Sequence, residues 1–271
     1  MSSKMPKISP VPDEQDYIIA YIDLLGTRER LMKEPSSEFF KEIYYQFLIA
    51  DRIIPDLERF LQFDIRIKIF SDNILVAIPV ENPSNNNEVL SAYRCLCDYI
   101  RLPLCSFVKK GILFRGAITI DKLYINDLMA WGNGLVCVVD LEEKVAIYPR
   151  IVLSKELLDV FERFCLDGSE YEETFCCLKD EDDCVFFDII DYNDFGSTEG
   201  IFEKATPLLN RQITRARKKN DLKVLQKLNW FKNYLNRAFE IYMSVKSDYE
   251  DELHGKRDER QRYCMDWENT R

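Results

Sequence analysis

The stretch DIRIKIFSDNILVAIPV, residues 64–80, decides the fold class. Its first half alternates, with Ile65, Ile67 and Ile69 set between Asp64, Arg66 and Lys68. Successive side chains on a strand point to opposite faces, so this pattern predicts a β-strand with one face on a core. The second half, Ile74 to Val80, is an unbroken apolar run and reads as a second strand. Only the polar Ser71 and Asp72 break the two, which predicts a β-hairpin with those residues at its tip. A hairpin here makes the sheet antiparallel, and it leaves a carboxylate, Asp72, at the strand ends.

Upstream, YIIAYID (17–23) is β-branched and aromatic and reads as a strand that ends on an acid, Asp23, with Gly26 soon after. GTRERLM opens a short helical segment, and SSEFFKEIYYQFLIADRIIPDLERFL is an amphipathic helix bent or ended at Pro55. Downstream, EVLSAYRCLCDYIRL is a helix, and GILFRGAITIDKLYI reads as a strand pair turning at Asp121–Lys122. WGNG is a turn into a helix over LVCVVDLEEKVAI, followed by a strand (PRIVLS) and a helix (KELLDVFERFC). CLKDEDDCVFFDII is a further hairpin, with residues 179–184 as a solvated acidic tip. After the polar break DYNDFGSTEG, residues 201–217 and 221–248 are helical.

This order predicts an α+β fold: a mostly antiparallel sheet flanked by helices, with a C-terminal helical appendage. The expected organisation is a flexible tail over 1–16, an α+β domain over 17–195 and a helical extension with a charged tail over 196–271.

Of the 271 residues 46% are hydrophobic and 13% aromatic, enough for one sizeable core with an appended element. A formal net charge of −10 disfavours nucleic-acid binding and leaves room for a small polyphosphate that arrives with its own cation. The nine cysteines form no CxxC pair, and the single histidine, His254, lies in a charged stretch. A Cys/His zinc site therefore lacks partners, as do histidine-dependent nucleophile systems. Free buried thiols, the polar N-terminus and the lack of a run of ~20 apolar residues point to a cytoplasmic protein with no membrane span.

If the strands bearing Asp23 and Asp72 are neighbours, their carboxylates converge as hard oxygen ligands suited to Mg²⁺ or Mn²⁺. The alternative is that both acids are turn formers. Gly26 and Thr27 begin a helix whose backbone N–H groups suit phosphate oxygens. Tyr44 and Tyr45 offer a base-stacking ring, or else belong to the core beside Phe40 and Phe47. The basic helical run RQITRARKKNDLKVLQK pairs with acidic surface rather than nucleic acid.

AYIDLLG and KIFSDN together resemble the two metal motifs of class III nucleotide cyclases. FRGAITI, the WGNG segment, CVFFDIIDY and VLQKLNWFKNYLNR are similar to a narrower branch, the pyrimidine (uridylate or cytidylate) cyclases of bacterial Pycsar antiphage defence systems. The resemblance spans roughly residues 17–240. It implies a class III cyclase-like, ferredoxin-like core and conversion of a nucleoside triphosphate, UTP or CTP, to a 3′,5′-cyclic nucleotide and pyrophosphate. It also implies two divalent cations held by Asp23, Asp72 and the carbonyl of Leu24, and a homodimer with shared active sites. Lys68 stands where purine cyclases place a base-reading lysine. Val136 and Asp140 stand where those enzymes carry a transition-state asparagine and arginine, which leaves Arg115 as the candidate cation. The narrower branch has an acid and an aromatic where this chain has Cys137 and Val139. A non-catalytic nucleotide-binding or interaction protein of the same fold, and a purine cyclase, remain as alternatives.

Overall fold

The computed structural model of the chain describes residues 13–32, 36–53, 63–164 and 175–268. The proposed helix stop at Pro55 and the tail up to residue 12 lie outside them. The chain divides into two compact units, one of Met1–Pro103 with Leu113–Phe187, the other of Leu104–Ile112 with Asp188–Arg271.

The first unit is built on strands β1 (Gln15–Leu24), β2 (Arg66–Phe70), β3 (Asn73–Val80), β4 (Phe114–Ile125), β5 (Ala130–Trp131), β6 (Ile151–Leu153), β7 (Cys177–Lys179) and β8 (Val185–Phe187). They form one sheet in the order β2-β3-β1-β4-β6-β8-β7, with β5 paired to β4. Every pairing is antiparallel except β4 with β6. Helices α1 (Thr27–Leu31), α2 (Ser36–Ile53), α4 (Asn133–Lys144) and α5 (Lys155–Phe164) belong to this unit, and α3 (Asn86–Lys109) begins in it. The α+β architecture expected from the alternation is therefore present.

β1 is the central strand, and Ile18, Ile19, Ala20 and Ile22 are fully buried. One face of the sheet, with Tyr17, Ile19, Tyr21, Leu75, Ala77 and Ala117, packs on Val138 of α4 and on Ala146. Residues of the opposite parity, Ile18, Ala20, Ile22, Val76 and Ile118, are equally buried. Tyr93 of α3 meets Phe161 of α5 edge-on at 5.0 Å, and Phe161 stacks on Phe175 at 4.3 Å.

The WGNG turn seats α4 on the sheet. A Cβ at Gly132 would lie 2.8 Å from the Lys122 carbonyl oxygen, and one at Gly134 would lie 2.4 Å from Ile19 Cδ1. Gly132 also has φ 137°, which favours glycine.

Two local expectations are corrected. Asp121–Lys122 is no turn: β4 runs straight through it, because Gln15 to Leu24 of β1 pair with Leu123 to Phe114 without a break. The acidic tip at 179–184 is exposed at Glu181, Asp182 and Asp183, as expected, but two of its acids are not free. Asp180 and Asp182 hold the guanidinium of Arg150, a residue 2% exposed, with Arg150 Nη1 donating to Asp182 at 2.9 Å and also to Asp180.

In the second unit, α6 (Phe195–Lys219) starts at Asp194, whose carboxylate accepts from the Ser197 N–H at 3.0 Å, and ends at the left-handed Asn220. It packs along α7 (Leu222–Glu268) through the Phe202–Phe239 pair, 5.2 Å apart. Buried Asp188 accepts from Tyr234 Oη at 2.5 Å, Tyr192 Oη at 2.8 Å and the Ile190 N–H at 3.1 Å. Among the described residues no helix is long and apolar enough to cross a membrane. The seven described cysteines are free; four are buried, as expected, whereas Cys137 and Cys176 are exposed.

Candidate functional site

The register of the sheet builds the site. Phe70 pairs with Asn73, Asn73 with Asp23, and Asp23 with Arg115, a row across β2, β3, β1 and β4. Paired residues project from the same face, so the row places Asp23 between Asn73 and Arg115. Asp72 directly precedes Asn73 in the hairpin turn, where Ser71 takes φ 62°. The Leu24 N–H donates to the Asp72 carbonyl at 3.0 Å, tying the two acid-bearing strand ends together. Both side chains are half-buried. The structure thus brings Asp23, Leu24 and Asp72 together at one end of the strands.

Leu24 is held from both sides, since Thr27 Oγ1 donates to its carbonyl at 2.8 Å. That bond turns the Thr27 side chain inward, leaving it 4% exposed. Gly26, at φ 80°, makes the bend between strand and helix, and its N-terminal neighbour Leu25 donates to the Leu113 carbonyl at 2.8 Å.

Arg115 Nε lies 2.5 Å from Glu142 Oε1 and 3.3 Å from Asp23 Oδ2. Glu142, on α4, is 3% exposed, and nothing in its local sequence marks it as a site residue. The signal that could have found it is spacing. Gly134, Val138, Glu142 and Ala146 recur every four residues and all are buried, so one acid interrupts the apolar stripe of α4.

Tyr21 reports the resulting field. Its hydroxyl donates to Asn73 Oδ1 at 2.7 Å, and its pKa is pushed up to about 12. Burial contributes most, followed by the negative charges of Glu142, Asp23, Asp72 and Glu143. Four carboxylates around one phenol make a locally negative edge that attracts cations. Among the described residues no three His, Cys, Asp or Glu side chains are grouped so as to hold a metal ion. Asp23 and Asp72 are hard oxygen donors, the type that Mg²⁺ and Mn²⁺ take.

The remaining sequence candidates are placed as follows. Lys68 Nζ, on β2, donates to the Asp127 carbonyl. Tyr45 and Tyr44 are not core: they are 54% and 49% exposed on α2, packed edge-on at 6.1 Å, while Ile43 and Phe47 form the buried stripe. On α4, Val136 is 63% exposed and Asp140 pairs with Lys144 at 2.7 Å.

A cleft of about 1040 Å³, lined by Asp16, Phe63, Val80 and Glu88 among others, opens at the far end of β1 and β3. At the rise of a strand it lies roughly 25 Å from Asp23, so it is no part of this site. Its acid Glu88 is engaged in accepting the Glu81 and Asn82 N–H groups.

No family model matches the chain, and no curated protein matches it. A bacterial light-regulated adenylyl cyclase is similar at 13% identity and a TM-score of 0.41, over 74% of this chain and 99% of that one. An adenylate/guanylate cyclase/hydrolase from Silicibacter pomeroyi is similar at 16% identity and a TM-score of 0.37, over 65% and 95%. A class III adenylyl cyclase-like ATP-binding protein from Pseudomonas aeruginosa is similar at 12% identity and a TM-score of 0.42, over 69% and 40%.

Proposed function

We propose that the chain is a divalent-cation-dependent nucleotide cyclase that converts UTP or CTP to the 3′,5′-cyclic nucleotide and pyrophosphate. The observation that carries the reading is the juxtaposition of Asp23 and Asp72 on adjacent strand ends, joined by the Leu24–Asp72 hydrogen bond. The pyrimidine choice, a cytoplasmic homodimer with shared sites, and a second-messenger role in antiphage defence rest on the motif resemblance.

Asp23, Asp72 and the Leu24 carbonyl would hold Mg²⁺ or Mn²⁺, which when bound neutralises triphosphate charge and lowers the pKa of the ribose 3′-hydroxyl. The 3′-oxygen forms a bond to the α-phosphorus, the bond from that phosphorus to the bridging oxygen breaks, and pyrophosphate leaves with the electron pair. The hydroxyl proton passes to solvent. The chain's own contribution is positioning: the hairpin tip and the end of β1 carry the two carboxylates on adjacent strand ends, and Arg115 places a guanidinium beside Asp23. Gly26 and Thr27 would meet the phosphates through their main chain, and Lys68 and Tyr45 the base.

A second reading, a nucleotide-binding protein without turnover, is favoured by α4, where Val136 is apolar and Asp140 is paired to Lys144. Incubation with each of the four ribonucleoside triphosphates and Mn²⁺, followed by separation of products, decides between them. Cyclic UMP or cyclic CMP, lost in Asp23→Ala and Asp72→Ala, supports the enzyme. No cyclic product from any of the four, with nucleotide still bound, supports the second reading.

A further inference from the structure

Asn73 faces Asp23 directly across the ladder, and the bond from the Leu24 N–H to the Asp72 carbonyl closes just outside that pair. This placement makes Asp23 and Asn73 a non-hydrogen-bonded pair, the kind whose side chains approach most closely, with Cβ atoms about 4.5–5.5 Å apart. The Asn73 side chain is held by Tyr21, whose hydroxyl donates to Oδ1 at 2.7 Å. Burial and the surrounding carboxylates push the Tyr21 pKa up to about 12, so the phenol keeps its proton and acts as the donor. An amide whose oxygen is engaged turns its nitrogen the other way, with two N–H donors to offer. Among the described residues Nδ2 has no acceptor, and Asn73 is half-buried, so those donors are left for water or a ligand.

We propose that Asn73 is a substrate-contact residue whose amide donates to a non-bridging oxygen of the cation-bound triphosphate, with Tyr21 as the positioning residue that fixes the amide in its donating orientation. The inference rests on the proposed binding of a nucleoside triphosphate at Asp23 and Asp72. The carboxylates at these strand ends accept hydrogen bonds and offer none, and phosphate oxygens likewise only accept. A neutral donor between them supplies what neither can, and it does not compete with a cation for the acids. On α4 neither Val136, which is apolar, nor Asp140, which is paired with Lys144, offers such a donor. The bond to Tyr21 matters because an amide free to turn would present its carbonyl, an acceptor, to the phosphate for part of the time.

The test is calorimetric binding to the full chain, with Mn²⁺, of UTP and CTP analogues that carry a methylene group in place of the oxygen between the α- and β-phosphorus. Such analogues bind without releasing pyrophosphate. Asn73→Ala is expected to weaken binding about 10-fold, the lower range for a hydrogen bond to a charged group. Tyr21→Phe is expected to weaken it about two- to fivefold, because the amide then spends part of its time turned away. The double variant Y21F/N73A is expected to bind no worse than N73A, a non-additivity that independent structural losses do not show. Inorganic triphosphate with Mn²⁺, which has no base, is expected to lose the same factor in N73A. Mn²⁺ alone is expected to bind N73A as it binds the wild type, because an N–H group is not a cation ligand. If N73A does not fold by circular dichroism, Asn73→Leu, of similar size and without a donor, is read in its place. Unchanged analogue affinity in the folded Asn73 variant, losses in Y21F and N73A that simply add, unchanged affinity for inorganic triphosphate, or a parallel loss for Mn²⁺ alone each overturn the inference. A wild-type chain that binds neither analogue nor inorganic triphosphate overturns the proposed function, and the inference with it.

Discussion

Gly116→Ala tests the frame that holds the site. A methyl at Gly116 would lie 2.4 Å from the Tyr21 carbonyl oxygen and 3.2 Å from Ile22 Cα, both main-chain atoms of the central strand. A carbon and a carbonyl oxygen rest at about 3.3 Å, so β1 and β4 must part by roughly 0.9 Å. The φ of Gly116 is not in the left-handed region, so the penalty is steric and not one of backbone strain. Overpacking of this kind costs about 1–3 kcal/mol. Loosening two adjacent ladder hydrogen bonds adds about 1 kcal/mol each, and the stiffer unfolded chain returns up to about 1 kcal/mol. The net expectation is a loss of about 3 kcal/mol. Gly116 faces Ile22, one step from the Asp23–Arg115 pair, so the same opening stretches that pair from 3.3 Å past the ~4 Å limit of an ion contact. Urea unfolding followed by circular dichroism reads the stability. A loss below about 1 kcal/mol refutes the steric argument, because no side-chain rotation relieves a clash with main chain.

Tyr234→Phe removes the 2.5 Å hydrogen bond to buried Asp188 and leaves the Tyr192 hydroxyl and the Ile190 N–H in place. A loss of about 1.5–3 kcal/mol is expected in urea unfolding, and a loss under about 0.5 kcal/mol shows that Asp188 does not depend on that donor. The Arg150 guanidinium holds the Asp182 carboxyl below the usual range. A carboxyl depressed in the folded state adds stability above its unfolded pKa of about 3.9, and that stability is lost as pH falls through the folded value. The stability gap between wild type and Asp182→Asn should therefore be constant near neutrality and close on acidification. A gap that stays constant throughout acidification rules out the ion pair as its source.

The sheet was legible where local pattern and tertiary pairing agree. The alternation at 64–70, the polar break at Ser71–Asp72 and the apolar run to Val80 are the hairpin β2–β3, and the strand ending at Asp23 lies beside it. Legibility failed at Asp121–Lys122, where two residues with turn character are carried straight by ten-residue pairing to β1. It failed again at Asp180 and Asp182, whose partner Arg150 lies far back in the sequence, before β6. Local spacing holds no record of which buried cation an acidic turn will meet.

The same limit shaped the reading of the site. Two carboxylates at strand ends are conspicuous because they interrupt apolar strands, and periodicity finds such interruptions at a period of two. Glu142 interrupts an apolar stripe as well, but at a period of four, inside a segment that also carries Asp140, Glu143 and Lys144 on its exposed side. Read as composition, the helix is simply acidic. Read at helical spacing, one of its acids is buried among Gly134, Val138 and Ala146, and a buried carboxylate requires a cation. Arg115 is one cation beside it, with Nε 2.5 Å from Oε1. It follows that Arg115 is charge-balanced before any substrate arrives. Any stabilisation it gives to a developing phosphate charge must be drawn against its pairing with Glu142.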